Sequence, residues 1–470
     1  QLELNLLRFI SFLFSSQQNS ETVQDESAPT VPLIPLIPVV NIWTPQETKN
    51  ETTAPPTEAS PTGGSSEEEP EEGCMAIGRN LESRQAIAAA IQKLGLELLQ
   101  NLERTPDKPN IIISPLSISL ALSQLALGAV NETDELLMNR LHNNTLPCYH
   151  HALRHILNRL RKNKLKIATR IFLRQGFEPK QDFVNESLRL YSSEAEVLES
   201  LEQINSWVEK ATQGQMTNFL PSLPPNLLIL LINAVHFKGV WKARFDPRFT
   251  SRGVFYLNDH HMVDVEVMED AKHPLSLYIH NDLEAQVARF PFRKSMSLLV
   301  ALPLYSHVDV YNMYTKINIS DLYQRLPKER AVQVKVPKFT LDYTQDLQDV
   351  LTKMGLGELF SAPNLANLAD GPLVVSSIKH KSSLEINEEG AEAAAATSVV
   401  ISRASNPIFH LTRPFFFALV DDNTMVPIFM GVINNPSPGA PVLKREQVTR
   451  DKVAYPVDKS YDSSSGGLPK

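Results

Sequence analysis

Glu388-Glu-Gly-Ala-Glu-Ala-Ala-Ala-Ala-Thr-Ser-Val-Val-Ile-Ser-Arg403 is the stretch on which the reading of this chain turns. Alanines this dense ordinarily mean helix. Here Gly390 precedes them and β-branched Thr397, Val399, Val400 and Ile401 follow, so helix propensity fades toward the C-terminal half. At a period of two, Ala391, Ala393, Ala395, Thr397, Val399 and Ile401 share one face, and none is charged or large. Between Gly390 and Arg403 the only charge is Glu392, on the opposite face. Such a segment suits a close-packed sheet as an added strand, with Gly390 giving backbone freedom for a hinge. Extended at about 3.3 Å per residue, it sets Arg403 roughly 43 Å from Gly390. The plainer reading is an alanine-rich surface loop or short helix.

The flanks read as strands: Leu384 to Asn387 before the run, and Phe409 to Val420 after it, broken at Arg413-Pro414. Further upstream, Ile87, Ile91, Leu94, Leu98 and Leu102 recur at helical spacing and predict an amphipathic helix over Arg84 to Leu102. In Asn110 to Gly128, three isoleucines run into Ser114-Pro115, where a helix can start with proline in its first turn. Leu227 to Val235 is nearly all apolar and predicts a strand buried on both faces. Leu298 to Leu302 and Val332 to Leu341 predict further strands, and Trp207 and Trp241 are expected in the core.

Arg154 to Arg170 carries seven basic residues. They read as a solvated helix face rather than a glycosaminoglycan site, because they do not fall on one stripe. His151 and His155 have i,i+4 spacing, but spacing pairs no carboxylate or free thiol with them, which speaks against a metal site. No Gly-x-Ser-x-Gly elbow, Gly-rich phosphate loop or zinc spacing is present, so no catalytic set and no cofactor is expected.

The 470 residues are 42 % hydrophobic with net charge −8, enough for a large core and without a basic excess that would suggest nucleic acid. No apolar run reaches the length of a membrane span. Leu4 to Phe14 is apolar but short and reads as a signal-peptide remnant within residues 1–16, or else as an apolar patch. Residues 17–73, rich in Pro, Ser, Thr and Glu, read as a disordered arm. Gln17, Gln18 and Gln24 lie in that arm, where a transglutaminase could reach an accessible glutamine; polar linker residues are the simpler account. Cys74 and Cys148 suggest one disulfide, the alternative being two buried free thiols. Acceptor triplets for N-glycosylation stand at Asn50, Asn131, Asn143, Asn185 and Asn318. With the cysteines they favour a secreted protein.

Glu388-Glu389-Gly390, the alanine run and Thr397 resemble the hinge of the reactive-centre loop of an inhibitory serpin. Asn110, Ser114, Pro115 and Ser117, Ile204 to Leu220, Asn233 to Trp241, Ile378-Lys-His-Lys381 and Phe429-Met-Gly-Val432 with Asn435-Pro436 resemble that family's motifs in its order. Thr424-Met425 departs from the family's Thr-Gly turn. The resemblance implies an α+β serpin fold over residues 74–437, with three β-sheets, about eight or nine helices and an exposed reactive-centre loop. It implies a monomeric protease inhibitor, not an enzyme, cleaved between Arg403 and Ala404. The N-terminal arm, Arg403 followed by a small residue and the tail 438–470 ending in Lys470 resemble the family's plasmin inhibitors. They imply a plasma protein acting on plasmin and other trypsin-like proteases in fibrinolysis, with Lys470 and Lys459 engaging lysine-binding kringle modules. The alternatives are an inhibitor of another trypsin-like coagulation protease and a non-inhibitory serpin.

Overall fold

The computed structural model describes residues 73–74, 80–141, 146, 148–161, 165–306, 308–390 and 406–445. The signal-like segment, nearly all of the arm with Asn50 and its glutamines, Asn143, Ala391 to Ala404 and the tail lysines Lys459 and Lys470 lie outside the described residues.

The strands in chain order are β1 (Ile111–Ile113), β2 (Leu165–Leu173), β3 (Ala195–Val197), β4 (Ile229–Lys238), β5 (Thr250–Tyr256), β6 (His261–His280), β7 (Ala285–Phe292), β8 (Met296–Pro303), β9 (Arg330–Pro337), β10 (Phe339–Asp346), β11 (Val375–Ile386), β12 (Ile408–His410), β13 (Phe415–Asp421), β14 (Pro427–Ile433) and β15 (Leu443–Lys444). They form three sheets. One is five-stranded, in the order β10-β11-β4-β2-β3. The second runs β1-β14-β13-β8-β7-β6, and the third runs β6-β9-β12 with β5 and β15 also on β6. The 20-residue strand β6 belongs to both. It pairs with β5 and β9 in its first part and with β7 from Ser276 on. Nine α-helical segments are present among the described residues, so the three-sheet arrangement and helix number agree with expectation.

Helix α1 (Leu81–Asn101) buries the expected stripe of Ile87, Ile91, Leu94 and Leu98, and the Asn80 side chain caps it by accepting from the Glu82 N–H. Helix α2 (Pro115–Gly128) follows β1, with Ser114 as its N-cap and Pro115 in its first turn. It is buried almost throughout and packs against α1, α3 (Glu132–Arg140), β4 and β14. Where α1 crosses its start, only glycine fits. A Cβ on Gly95 would stand 2.6 Å from Pro115 Cγ and 2.9 Å from Met430 Sδ.

Several expectations need correction. The basic stretch Arg154 to Arg170 is not one helix: α4 (Tyr149–Leu160) ends and β2 begins within it. Much of its charge is partnered. Arg161 donates to Ser192 Oγ and to the Tyr191 carbonyl, and Arg170 pairs with Glu194 and Glu196. Trp207 is half-buried under the Arg170 guanidinium rather than in the core. Its helix, α6 (Leu201–Ala211), follows α5 (Gln181–Tyr191) and stops well before Leu220, because Gln213 and Gly214 take left-handed backbone. Val332 to Leu341 is two strands in two sheets, β9 and β10, split at Lys338. Beyond 437 the chain does not leave the domain at once, since β15 pairs with Met262 and His261 and the Arg445 N–H donates to the His260 carbonyl.

Cys74 and Cys148 are joined, their Cα atoms 5.2 Å apart, closing a loop over a separation of 74 residues. The chain-entropy account assigns such a loop about 4–5 kcal/mol. Asn131, Asn185 and Asn318 are exposed. At the departure from the expected Thr-Gly turn, Met425 sits at φ 61°, where a Cβ is strained. Met425→Gly is expected to raise stability by about 1 kcal/mol, read as a higher denaturation midpoint. An unchanged midpoint would mean that the side chain's packing offsets the strain.

Candidate functional site

Strands β4 and β11 lie side by side in parallel, with Asn233 opposite His380 and Lys238 opposite Glu385. Parallel strands cannot be joined by a tight hairpin. The chain reaches this pairing through a long excursion, and the predicted hinge leaves from the end of β11.

The hinge is clamped. The Trp241 N–H donates to the Glu389 carbonyl at 2.9 Å and the Phe245 N–H donates to that of Glu388 at 3.2 Å. Trp241 Nε1 donates to the Asn387 carbonyl at 2.6 Å. The ring is fully buried and stacked on Phe292 at 4.3 Å. Gly390 makes an isolated parallel bridge to Trp241. A Cβ on Gly390 would come within 2.7 Å of Arg244 Cα, so this glycine is required for close approach. Sequence reasoning expected it for hinge freedom instead.

Charge reinforces the clamp. Glu388 Oε1 accepts from Thr250 Oγ1 at 2.8 Å and from Lys338 Nζ at 3.3 Å. Burial pushes the Glu388 carboxyl up, but the Thr250 hydroxyl, a backbone N–H and Lys338 together outweigh it and hold the group below its ordinary value. Lys238 Nζ lies 3.0 Å from Glu389 and 3.2 Å from Glu385. The hydrogen bond to Glu389 is the main cause that raises its pKa. Lys238 and Lys338 were not anticipated as hinge partners. Lys238 lies within the Asn233-to-Trp241 signature, which was the signal available for finding it.

Beneath the parallel pair, α2 meets the sheet in a buried polar network. Asn233 Nδ2 donates to the Ser117 carbonyl, and Ser117 Oγ donates to Asn233 Oδ1, both at 2.8 Å. His380 Nε2 accepts from the Ser114 N–H at 3.3 Å, which leaves the ring proton on Nδ1, 2.6 Å from Asn233 Oδ1. A second ring proton would face that N–H donor to donor. Full burial independently lowers the His380 pKa to about 3. His150, also lowered by burial, sits at about 4.

Both folded values lie below the unfolded value near 6.5, so the unfolded chain takes up protons first. Their stability contribution is complete above about pH 6.5 and is lost as pH falls toward 4 and 3. Each histidine then costs about 1.4 kcal/mol per pH unit. The melting temperature is expected to drop between pH 7 and 5, with the slope reduced in His380→Gln. An equal slope in the variant would remove His380 from this account.

Asn110 clasps the segment that follows β14: its side chain donates to the Asn435 carbonyl and accepts from the Asn434 and Asn435 N–H groups. Among the described residues no group of three or more His, Cys, Asp or Glu could hold a metal, and no helix is long and apolar enough to cross a membrane.

Comparison with known proteins agrees with this architecture. The family profile described as Serpin (serine protease inhibitor) matches residues 89–436. Alpha-2-antiplasmin from Bos taurus is 38 % identical over 83 % of this chain and 79 % of its own length. The Mus musculus protein of that name is 38 % identical over 84 % and 81 %. The crystal structure of mouse protein-Z dependent protease inhibitor superposes with a TM-score of 0.68 at 23 % identity, covering 76 % of this chain and 98 % of that one. With the hinge, the parallel pair and the sheet order in place, the chain belongs to the serpin family of serine protease inhibitors.

Proposed function

We propose that the protein is a secreted suicide-substrate inhibitor of plasmin and related trypsin-like proteases, restraining fibrinolysis. The observation that carries this reading is the clamped hinge, Glu388 to Gly390, at the end of a parallel strand pair. Small residues at Ala391, Ala393, Ala395 and Thr397 follow on one face. The likeness to alpha-2-antiplasmin over most of the chain supports plasmin as the target.

The chemistry belongs to the protease. The Arg403 guanidinium pairs with a carboxylate in a trypsin-like specificity pocket. The protease serine attacks the Arg403 carbonyl, the bond to Ala404 breaks, the Ala404 amine leaves with a proton, and an acyl ester forms. Cleavage frees the segment from Gly390 onward. Turning back at the end of β11, it runs opposite to β11. Because β4 is parallel to β11, it enters antiparallel to both neighbours, and two antiparallel ladders replace one parallel ladder. The ester-linked protease is carried along and distorted before water can release it.

Two further contacts complete the proposal. The tail lysines Lys470 and Lys459 engage kringle lysine sites and raise effective concentration. A glutamine of the arm is cross-linked to fibrin. The rival readings are inhibition of another trypsin-like coagulation protease and a non-inhibitory serpin.

The test mixes the protein with plasmin in a denaturing gel and maps the cut by mass. A denaturant-resistant adduct with cleavage after Arg403 is expected. Complete cleavage without adduct would leave a substrate, not an inhibitor.

A further inference from the structure

The hairpin between β7 and β8 turns through Lys294 at φ 61° and Ser295 at φ 55°. Both lie in the three-residue connection Arg293 to Ser295, since Phe292 still pairs with Met296, and such left-handed backbone is filled without strain by Asn or Gly. Lysine and serine fill it at a cost, and such strain concentrates where a side chain is held for use. Beside this turn is a cavity of about 230 Å³. Its walls are Phe237, Val240, Phe292 and Met296, and its polar lining is Lys238, Arg293 and Lys294. A buried apolar cavity of about 150 Å³ already accepts benzene, so this one has room for an aryl ring or a short acyl chain. Arg293 and Lys294 are exposed at its mouth, whereas Phe237, Phe292 and Met296 are buried in its floor.

We propose that this pocket binds a small amphipathic carboxylate, with its apolar tail against Phe237 and Met296 and its anion at the Lys238–Arg293–Lys294 rim. The site is joined to the hinge by Lys238, which lines the pocket and also bonds Glu389 and Glu385. A ligand carboxylate on Lys238 competes with Glu389 for the same ammonium protons and loosens the clamp on Gly390. Trp241 stacks on Phe292, so it senses occupancy directly. The binding site stands apart from the inhibitory reading; only its meaning for loop release rests on that reading.

The experiment titrates decanoate and, separately, decanol into the full chain carrying Trp43→Phe and Trp207→Phe, following Trp241 emission. Saturable binding is expected, with decanoate favoured by at least about tenfold for its charge-assisted contacts. In Arg293→Gln/Lys294→Asn/Ser295→Gly the preference should fall below about twofold, while the relaxed turn keeps the melting temperature at or above that of the parent. Absence of saturable binding, or a preference that survives in the variant, overturns the site. Decanoate should also speed hydrogen exchange at the Trp241 amide, which donates to Glu389. An unchanged rate with decanoate bound overturns the link to the hinge. No protease enters these measurements, so their failure is separable from failure of inhibition.

Discussion

Ala391→Arg is expected to abolish the denaturant-resistant complex with plasmin while cleavage after Arg403 continues at close to the parental rate. Position 391 is the first after the clamp and falls on the face that carries the alanines. If that face turns inward as the segment enters between β4 and β11, the guanidinium is carried among the buried side chains of Phe237, Leu384 and Ile386 at the hinge end of that pair. Those side chains are apolar and offer no carboxylate to receive it. Burying an unpaired charge there costs several kcal/mol, more than a single added strand residue returns. Insertion stalls, the acyl ester hydrolyses, and the stoichiometry shifts from inhibitor to substrate. Undiminished complex in this variant would refute entry of the segment into the sheet.

The second large effect concerns stability. Protein nicked after Arg403 should melt more than about 10 °C above the intact form. The physical source is the exchange at the sheet centre. Intact, β4 and β11 share one ladder from Val375 to Glu385. After insertion of roughly ten residues each flanking strand keeps a full ladder and the newcomer adds its own. At about 1 kcal/mol per net hydrogen bond, before apolar burial, the gain is on the order of 10 kcal/mol. A nicked form melting no higher than the intact one would leave the protease with nothing pulling it.

Local patterns in the sequence were good guides wherever one residue's neighbours decide its fate. The stripe of Ile87, Ile91, Leu94 and Leu98, the Ser114-Pro115 helix start and the apolar run of β4 all form what their spacing implies. Chain connectivity was harder to read. Val332 to Leu341 keeps one strand-like alternation through Lys338, yet the chain changes sheets there, and alternation carries no information about which partner a strand takes. The end of α6 depended on left-handed backbone at Gln213, a residue type that gives no warning of it. The candidate site was half legible. Glu388 and Gly390 stood out, but Lys238 and Lys338 reach the hinge across 147 and 50 sequence positions by sheet pairing alone (Lys238 to Glu385; Lys338 to Glu388). The anchoring of the chain beyond 437 was missed because β15 is two residues long and gains its place from the open edge of β6.

Strand β6 sits in two sheets at once and in neither case beside β4 or β11. Parting those two strands therefore asks nothing of it. It acts as the stationary chassis of a machine whose moving part lies elsewhere, so a distance probe seated on β6 would report the travel of the captured protease alone, uncontaminated by recoil of the frame.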